Sequence, residues 1–115
     1  MTKLISLTQN KDFRRIYHRG KSFATSAIVV YYTKNRLNFC RLGITVGKKI
    51  GGAVERNRVK RIIRVAYSTV IDDLLIENNC YDFVIVARNR AVNLKSTEIE
   101  KQLINGLIKA GLIKK

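Results

Sequence analysis

Between residues 54 and 75 the apolar side chains recur with a helical period. Val59, Ile62, Ile63, Ala66, Val70 and Leu74 form one stripe, which predicts a helix from about Val54 or Glu55 to about Leu75 lying on a core. At roughly 100° per residue, Asn57, Lys60, Arg61, Arg64 and Ser68 fall together on the opposite side. The helix must therefore satisfy a hydrophobic layer beneath it and a very different environment above. A charged helix face is ordinarily a solvated one in which acids alternate with bases. Here Arg56, Arg58, Lys60, Arg61 and Arg64 follow one another with no acid between them. Such side chains repel unless an anion neutralises them, so the feature makes physical sense with phosphates present. Four of these five cations are Arg, whose planar fork suits bidentate phosphate contacts and stacking on bases.

The same bias runs through the whole chain. Its 115 residues carry 23 Lys plus Arg against 8 Asp plus Glu, a formal charge of +15, and a field of that sign attracts nucleic acid, an anionic membrane surface or an acidic protein. Lys48, Lys49, Arg56, Arg58, Lys60, Arg61 and Arg64 stand against the single acid Glu55, while Lys11, Arg14, Arg15, Arg19 and Lys21 form a second basic group around Asp12. Acids collect at Asp72, Asp73 and Glu77. A membrane-surface helix would need the apolar stripe for lipid, and the core claims it. No apolar run approaches the ~20 residues of a membrane span. The first nine residues are too weakly apolar for a signal peptide, so a cytoplasmic location is expected. With 46% hydrophobic residues the chain escapes low-hydrophobicity disorder, and its length predicts one domain over residues 1–115.

The inventory for catalysis is poor. Cys40 and Cys80 lack the spacing of a zinc or redox motif and read as buried small hydrophobes. The single His18 lies between Tyr17 and Arg19, where positive charge disfavours metal binding, and it cannot anchor a triad by itself. Asp72 and Asp73 are adjacent on a helix and point apart, and Glu98 and Glu100 do not face each other. No nucleophile elbow, phosphate-binding Gly-Lys-Ser/Thr loop or His-Glu-x-x-His occurs. Neither a catalytic residue nor a metal site is expected in the polypeptide.

Proline is absent and no linker or repeat interrupts the chain, so a single continuous fold is expected. Asn10 is placed to cap a short helix that presents Phe13, Ile16 and Tyr17 on one face and ends at Gly20. Ser22 to Thr33 reads as a long strand, with Thr25-Ser26 the place for a break. Phe39 to Val46 is a second strand, with Leu42, Ile44 and Val46 on one side and Gly43 and Thr45 on the other, expected to form a hairpin with the first. Lys48 to Gly52 reads as a flexible loop. Tyr81 to Ala87 is a third strand, and a closing helix from about Ser96 buries Ile99, Leu103, Leu107 and Ile108. The order is α-β-β-α-β-α, an α+β sandwich on a small sheet. Among the aromatics, Tyr32, Tyr67, Tyr81 and Phe83 are assigned to the core, whereas Phe13, Tyr17 and Tyr31 interleave with basic residues and could stack unpaired bases. Periodicity alone leaves Tyr31 and Tyr32 undecided, since that strand is apolar on both faces.

The run Arg56-Asn57-Arg58-Val59-Lys60-Arg61-Ile62-Ile63-Arg64, preceded by Gly43-Ile44-Thr45-Val46-Gly47-Lys48-Lys49-Ile50-Gly51-Gly52-Ala53-Val54, resembles the signature of the bacterial ribonuclease P protein component. Asp12-Phe13, Tyr17, Gly20 and the strand ending Val84-Ile85-Val86-Ala87-Arg88 extend the resemblance from about Asn10 to Arg88. The resemblance implies a small protein bound to a catalytic RNA subunit, the two together removing the 5′ leader of precursor tRNA by magnesium-dependent hydrolysis. Magnesium would act through the RNA, and no protein partner is implied. By the same analogy Arg56, Asn57, Arg58, Lys60, Arg61 and Arg64 lie against the RNA subunit, flanked by Lys48 and Lys49. A cleft between the first helix and a mixed sheet, mapped onto Phe13, Tyr17, Ala27, Val29 and Tyr31, would receive the single-stranded leader. That mapping makes Tyr31 the exposed member of its pair. The family fold, shared with a domain of a small-subunit ribosomal protein, further implies a left-handed β-α-β connection, against the usual right-handed rule. Asn89-Arg90 departs from the family's usual turn and leaves the contacts of Arg88 and Arg90 open. The competing reading is a ribosomal or ribosome-assembly protein that binds folded RNA without any part in cleavage.

Overall fold

The computed structural model describes residues 5–37, 39–72 and 81–113. In chain order these form α1 (Asn10–Arg19), β1 (Lys21–Ala24), β2 (Ile28–Lys34), β3 (Arg41–Thr45), α2 (Ala53–Asp72), β4 (Tyr81–Ala87) and α3 (Ser96–Lys109), with short 3-10 turns at Lys48–Ile50 and Asn89–Asn93. The four strands make one mixed sheet in the order β1-β2-β4-β3. Strand β4 explains that order. Phe83, Val84 and Ile85 are all buried, and a strand buried on both faces belongs inside a sheet. It pairs antiparallel with β2 and parallel with β3.

The expected hairpin between the second and third strands is therefore not formed. The polar connection after Lys34 carries the chain past β4 instead, and β3 reaches the sheet by pairing with β4 alone. The long strand expected from Ser22 to Thr33 divides at Thr25-Ser26 into β1 and β2, which fold back on each other. At that turn the Thr25 hydroxyl and the Ala27 N–H both donate to Gln102 Oε1 of α3, so side-chain bonding to a distant helix fixes the break.

Residues directly opposite one another in a sheet point to the same face. Ile28, Val30 and Tyr32 of β2, with Phe83 and Ile85 of β4, pack under α2 and α3 in the main core. There Val59, Ile63, Ala66, Tyr67 and Val70 of α2 meet Ile99, Leu103 and Leu107 of α3. The apolar stripe read from the sequence is thus the buried one, Ile62 being half-buried and Leu74 lying outside the described residues. Tyr81 is half-buried at the edge of this core rather than within it.

The opposite face of the sheet carries α1. Its rows are Thr33-Asp82-Arg41, Tyr31-Val84-Gly43 and Val29-Val86-Thr45. Here a smaller core of Leu7, Ile16 and Val84 is flanked by Phe13, Tyr31 and Val86. Asn10 is the first helical residue and not the cap. Gln9 holds that position without a side-chain bond, and its carbonyl accepts the Asp12 N–H at 3.0 Å. Gly20 follows α1 in extended conformation. A Cβ there would lie 2.5 Å from the Ile16 carbonyl oxygen and 2.9 Å from that of Tyr32, so close approach requires the glycine. Lys48 to Gly52, expected as a flexible loop, instead begins with a 3-10 turn anchored by buried Ile50. Cys40 is half-buried rather than buried, and Cys80, Asp73 and Glu77 lie outside the described residues.

Candidate nucleic-acid interface

The first turns of α2 display the cations in three directions set by the helical angle. Asn57, Arg61 and Arg64 are exposed along the outer ridge, and Lys60 is half-buried beside it. Arg58, about 100° from Asn57, turns toward the 3-10 segment after β4. Its Nη1 donates to the Val92 carbonyl at 2.8 Å and its Nη2 to that of Leu94 at 3.4 Å. Arg56 lies at the other margin and is half-buried. Glu55, the one acid of the stretch, folds back over Gly51, where an added Cβ would meet its carboxylate oxygens at 2.7 and 2.8 Å. It is therefore placed away from the outer cations. Lys48 and Lys49 are both exposed on the turn just before the helix.

Phe13, Tyr17, Val29 and Tyr31 come together on the α1 side of the sheet. Tyr17 is 39% exposed, meets Tyr31 edge-on with ring centroids 4.9 Å apart, and has its hydroxyl 3.2 Å from Thr45 Oγ1. Phe13 packs over Gly43, whose absent Cβ would stand 2.6 Å from the ring. Tyr31 is half-buried on this face while Tyr32, 9% exposed, belongs to the main core. Ala27 does not join the group: it is fully buried in the main core with its N–H bonded to Gln102, and no surface reaches it.

The two groups of residues are contiguous. A cleft of about 160 Å³ at the outer edge of β3 is lined by Leu7, Phe13, Leu42 and Ile44 together with Lys60 and Arg64. An aromatic ring and apolar walls thus sit beside two cations, a combination that suits a nucleotide's base and phosphate. The segment before α1 forms one wall, since the Leu7 N–H donates to the Leu42 carbonyl and the Leu42 N–H to that of Ile5, both at 2.8 Å.

A family model for ribonuclease P matches residues 1–111. The chain belongs to the ribonuclease P protein family. It is similar to the ribonuclease P protein component of Clostridium botulinum strain Langeland, 44% identical over 106 residues that cover 92% of this chain and 94% of that one. The Oceanobacillus iheyensis protein component is 40% identical over 116 residues, covering 99% and 93%. Among solved structures, the Staphylococcus aureus ribonuclease P protein aligns with a TM-score of 0.82 at 34% identity, covering 97% of this chain and all of that one. The Thermotoga maritima protein gives 0.75 at 29% identity, with 87% and 92% covered. As a ribonuclease P protein component the chain is a subunit of an endoribonuclease of tRNA processing.

Sequence reasoning missed several residues of this ribonuclease P protein's surface. Thr45 and Val86 complete the aromatic face and carried no signal beyond strand alternation. The contact of Lys60 and Arg64 with the Phe13 cleft depends on which helix edge abuts β3, a tertiary fact. Asp82 did carry a signal, because a lone acid inside the apolar run Tyr81 to Ala87 needs partners once buried. It is fully buried, and Arg15, Arg41 and Asn35 all bond to it. Among the described residues no three His, Cys, Asp or Glu side chains group to hold a metal ion, and no helix is long and apolar enough to cross a membrane. Arg88 is exposed and donates to the Thr25 carbonyl at 2.9 Å; Arg90 is exposed.

Proposed function

We propose that this chain docks on the catalytic RNA subunit of ribonuclease P through Lys48, Lys49, Arg56, Asn57, Lys60, Arg61 and Arg64, and holds the single-stranded 5′ leader of precursor tRNA on Phe13, Tyr17, Val29 and Tyr31. Arg58 acts at this surface by holding the segment that carries Arg90. The RNA subunit carries the hydrolytic chemistry in this reading, and its own groups bind the magnesium, for which the described protein residues offer no cluster. The protein supplies cations that reduce phosphate repulsion and aromatic faces that stack bases. The reading places the complex in the cytoplasm.

The observation that carries the proposal is the cleft where Phe13 meets Lys60 and Arg64. It makes the cationic helix and the aromatic face one surface, so an RNA strand held by the first is delivered to the second. A protein that only braced folded ribosomal RNA would need the phosphate contacts and not the adjoining aromatic shelf. The test is the affinity of the reconstituted complex for precursor tRNA and for mature tRNA. The expected result is tighter binding of the precursor, an advantage that disappears when the leader is shortened to nothing and that requires the protein. Equal affinity for both tRNAs, or copurification with ribosomal RNA in place of one catalytic RNA, would sink the proposal.

A further inference from the structure

Neither RNA surface uses the most completely buried acid among the described residues. Asp82 of β4 lies in the sheet row Thr33-Asp82-Arg41, next to the row that holds Tyr31, Val84 and Gly43. Its Oδ1 accepts from Asn35 Nδ2 and Arg41 Nε, each at 2.8 Å, and its Oδ2 from Arg41 Nη2 and Arg15 Nη2, each at 2.7 Å. A fully buried carboxylate is tolerable only with this degree of satisfaction. Burial alone would raise its pKa, and the bonds from Arg41, Asn35 and Arg15 outweigh that and hold it below the ordinary carboxylate value.

One of those partners belongs to a different layer. Arg41 is in the sheet, but Arg15 comes from α1, two residues after Phe13 and two before Tyr17. It also lies 3.6 Å from Asp12 one turn back. The remaining attachment of α1 is thin, because Ile16 is its one buried residue and the apolar cluster beneath it is small. Apolar contact is non-directional and leaves a short helix free to roll or tilt, whereas the directional, charge-assisted bond from Arg15 Nη2 to Asp82 Oδ2 at 2.7 Å ties the helix to one point of the sheet and so constrains its angle. The Tyr17 to Tyr31 edge contact and the Tyr17 to Thr45 hydrogen bond depend on that angle.

Building on the leader-binding reading, we propose that Asp82 and Arg15 are positioning residues for leader recognition: Asp82, acting through Arg15, sets the orientation of α1 so that Phe13 and Tyr17 form a base platform with Tyr31. Arg15 is thereby half-buried and engaged within the protein, unlike its exposed neighbours Lys11 and Arg14.

The test uses complexes reconstituted with the RNA subunit and carrying Arg15→Ala, Arg15→Lys, Asp82→Asn or, as a control, Tyr31→Ala. Arg15→Ala is expected to reduce the preference for precursor over mature tRNA by up to about tenfold, the value of one stacked base, while affinity for the RNA subunit stays within about twofold. Arg15→Lys, able to keep one bond to Asp82, is expected to restore part of the preference. Asp82→Asn carries the greater risk of unfolding, and the Arg15 pair decides the matter without it. A merely structural role would lower the thermal midpoint and weaken both tRNAs and the RNA subunit alike, overturning the proposal. It is overturned equally if Arg15→Ala keeps the full preference, or if its salt dependence with precursor alone falls by one phosphate contact, which would put Arg15 on the leader itself. If Tyr31→Ala also keeps the full preference, the leader-binding reading fails on its own account.

Discussion

Arg58 and Arg64 carry the same charge on the same helix and face different partners, which separates their expected behaviour. Arg64 is exposed and lines the cleft beside Phe13. Its replacement by Ala should lower the slope of log affinity for the RNA subunit against log salt by about one, since one phosphate contact releases about one counterion. Arg58 already donates to the carbonyls of Val92 and Leu94, so Arg58→Ala should change that slope less and lower the thermal midpoint more. A salt series on both variants, with thermal melts, measures the contrast; equal slopes would place both residues on phosphates. Tyr31 and Tyr32 divide in the same way. Tyr31→Ala should weaken precursor binding by roughly 1 kcal/mol with little effect on folding. Tyr32→Ala removes a core ring and should destabilise the fold by about 3 kcal/mol or more, read from denaturant unfolding.

At the scale of elements, α1 rests on β3 by a contact that a methyl group would spoil. A Cβ on Gly43 would stand 2.6 Å from the Phe13 ring, so Gly43→Ala should force that ring and the helix outward and cost about 1–3 kcal/mol of stability by overpacking. The Asp82 clamp gives the same junction a pH dependence. Because the folded carboxyl titrates below its ordinary value of about 3.9, its stabilisation is complete above that value and is lost as pH falls through the folded pKa. Unfolding followed from pH 6 to pH 2 should show this loss in the natural protein and not in Asp82→Asn. These junctions also show what could be read from the sequence. Helices α2 and α3 were legible because their stripes are local patterns, and Arg56 to Arg64 were legible because an unbroken cationic run has so few explanations. Strand order was not legible. Pairing β3 with β2 across a short polar connection looked natural, whereas the real choice is set by β4, distant in sequence and buried on both faces. Ala27 was misplaced for a different reason: the resemblance mapped it onto the cleft beside Val29, whereas its N–H bonds to Gln102 and its side chain is fully buried in the main core.

For the molecule as a whole, the decisive quantity is the mismatch between charge and catalytic inventory. A formal charge of +15 on 115 residues gives strong attraction for RNA, whereas phosphodiester hydrolysis by a protein calls for acids or imidazoles arranged to hold metals and an attacking water. Asp82, the most completely buried acid among the described residues, is enclosed by Arg15, Arg41 and Asn35, so its lone pairs are already engaged in holding α1 to the sheet. Asp12 lies within 4.0 Å of both Arg15 and Arg41, which binds it to the same network. Glu55 folds over Gly51, and Glu98 accepts from the Lys95 N–H at the start of α3. Each of these acids has a structural engagement, and the surface proposed to face RNA is cationic and aromatic. The purified protein alone is therefore expected not to cleave precursor tRNA at its mature 5′ end at any magnesium concentration. Its contribution to the complex should be largest at low salt and low magnesium, where RNA is least able to screen its own phosphates. Cleavage rates for RNA alone, RNA plus protein and protein alone across a magnesium series measure both expectations. Correct 5′ cleavage by the protein-only sample, abolished by replacing one Asp or Glu, would transfer the chemistry to the polypeptide; a protein effect that grows with salt would remove charge as its cause.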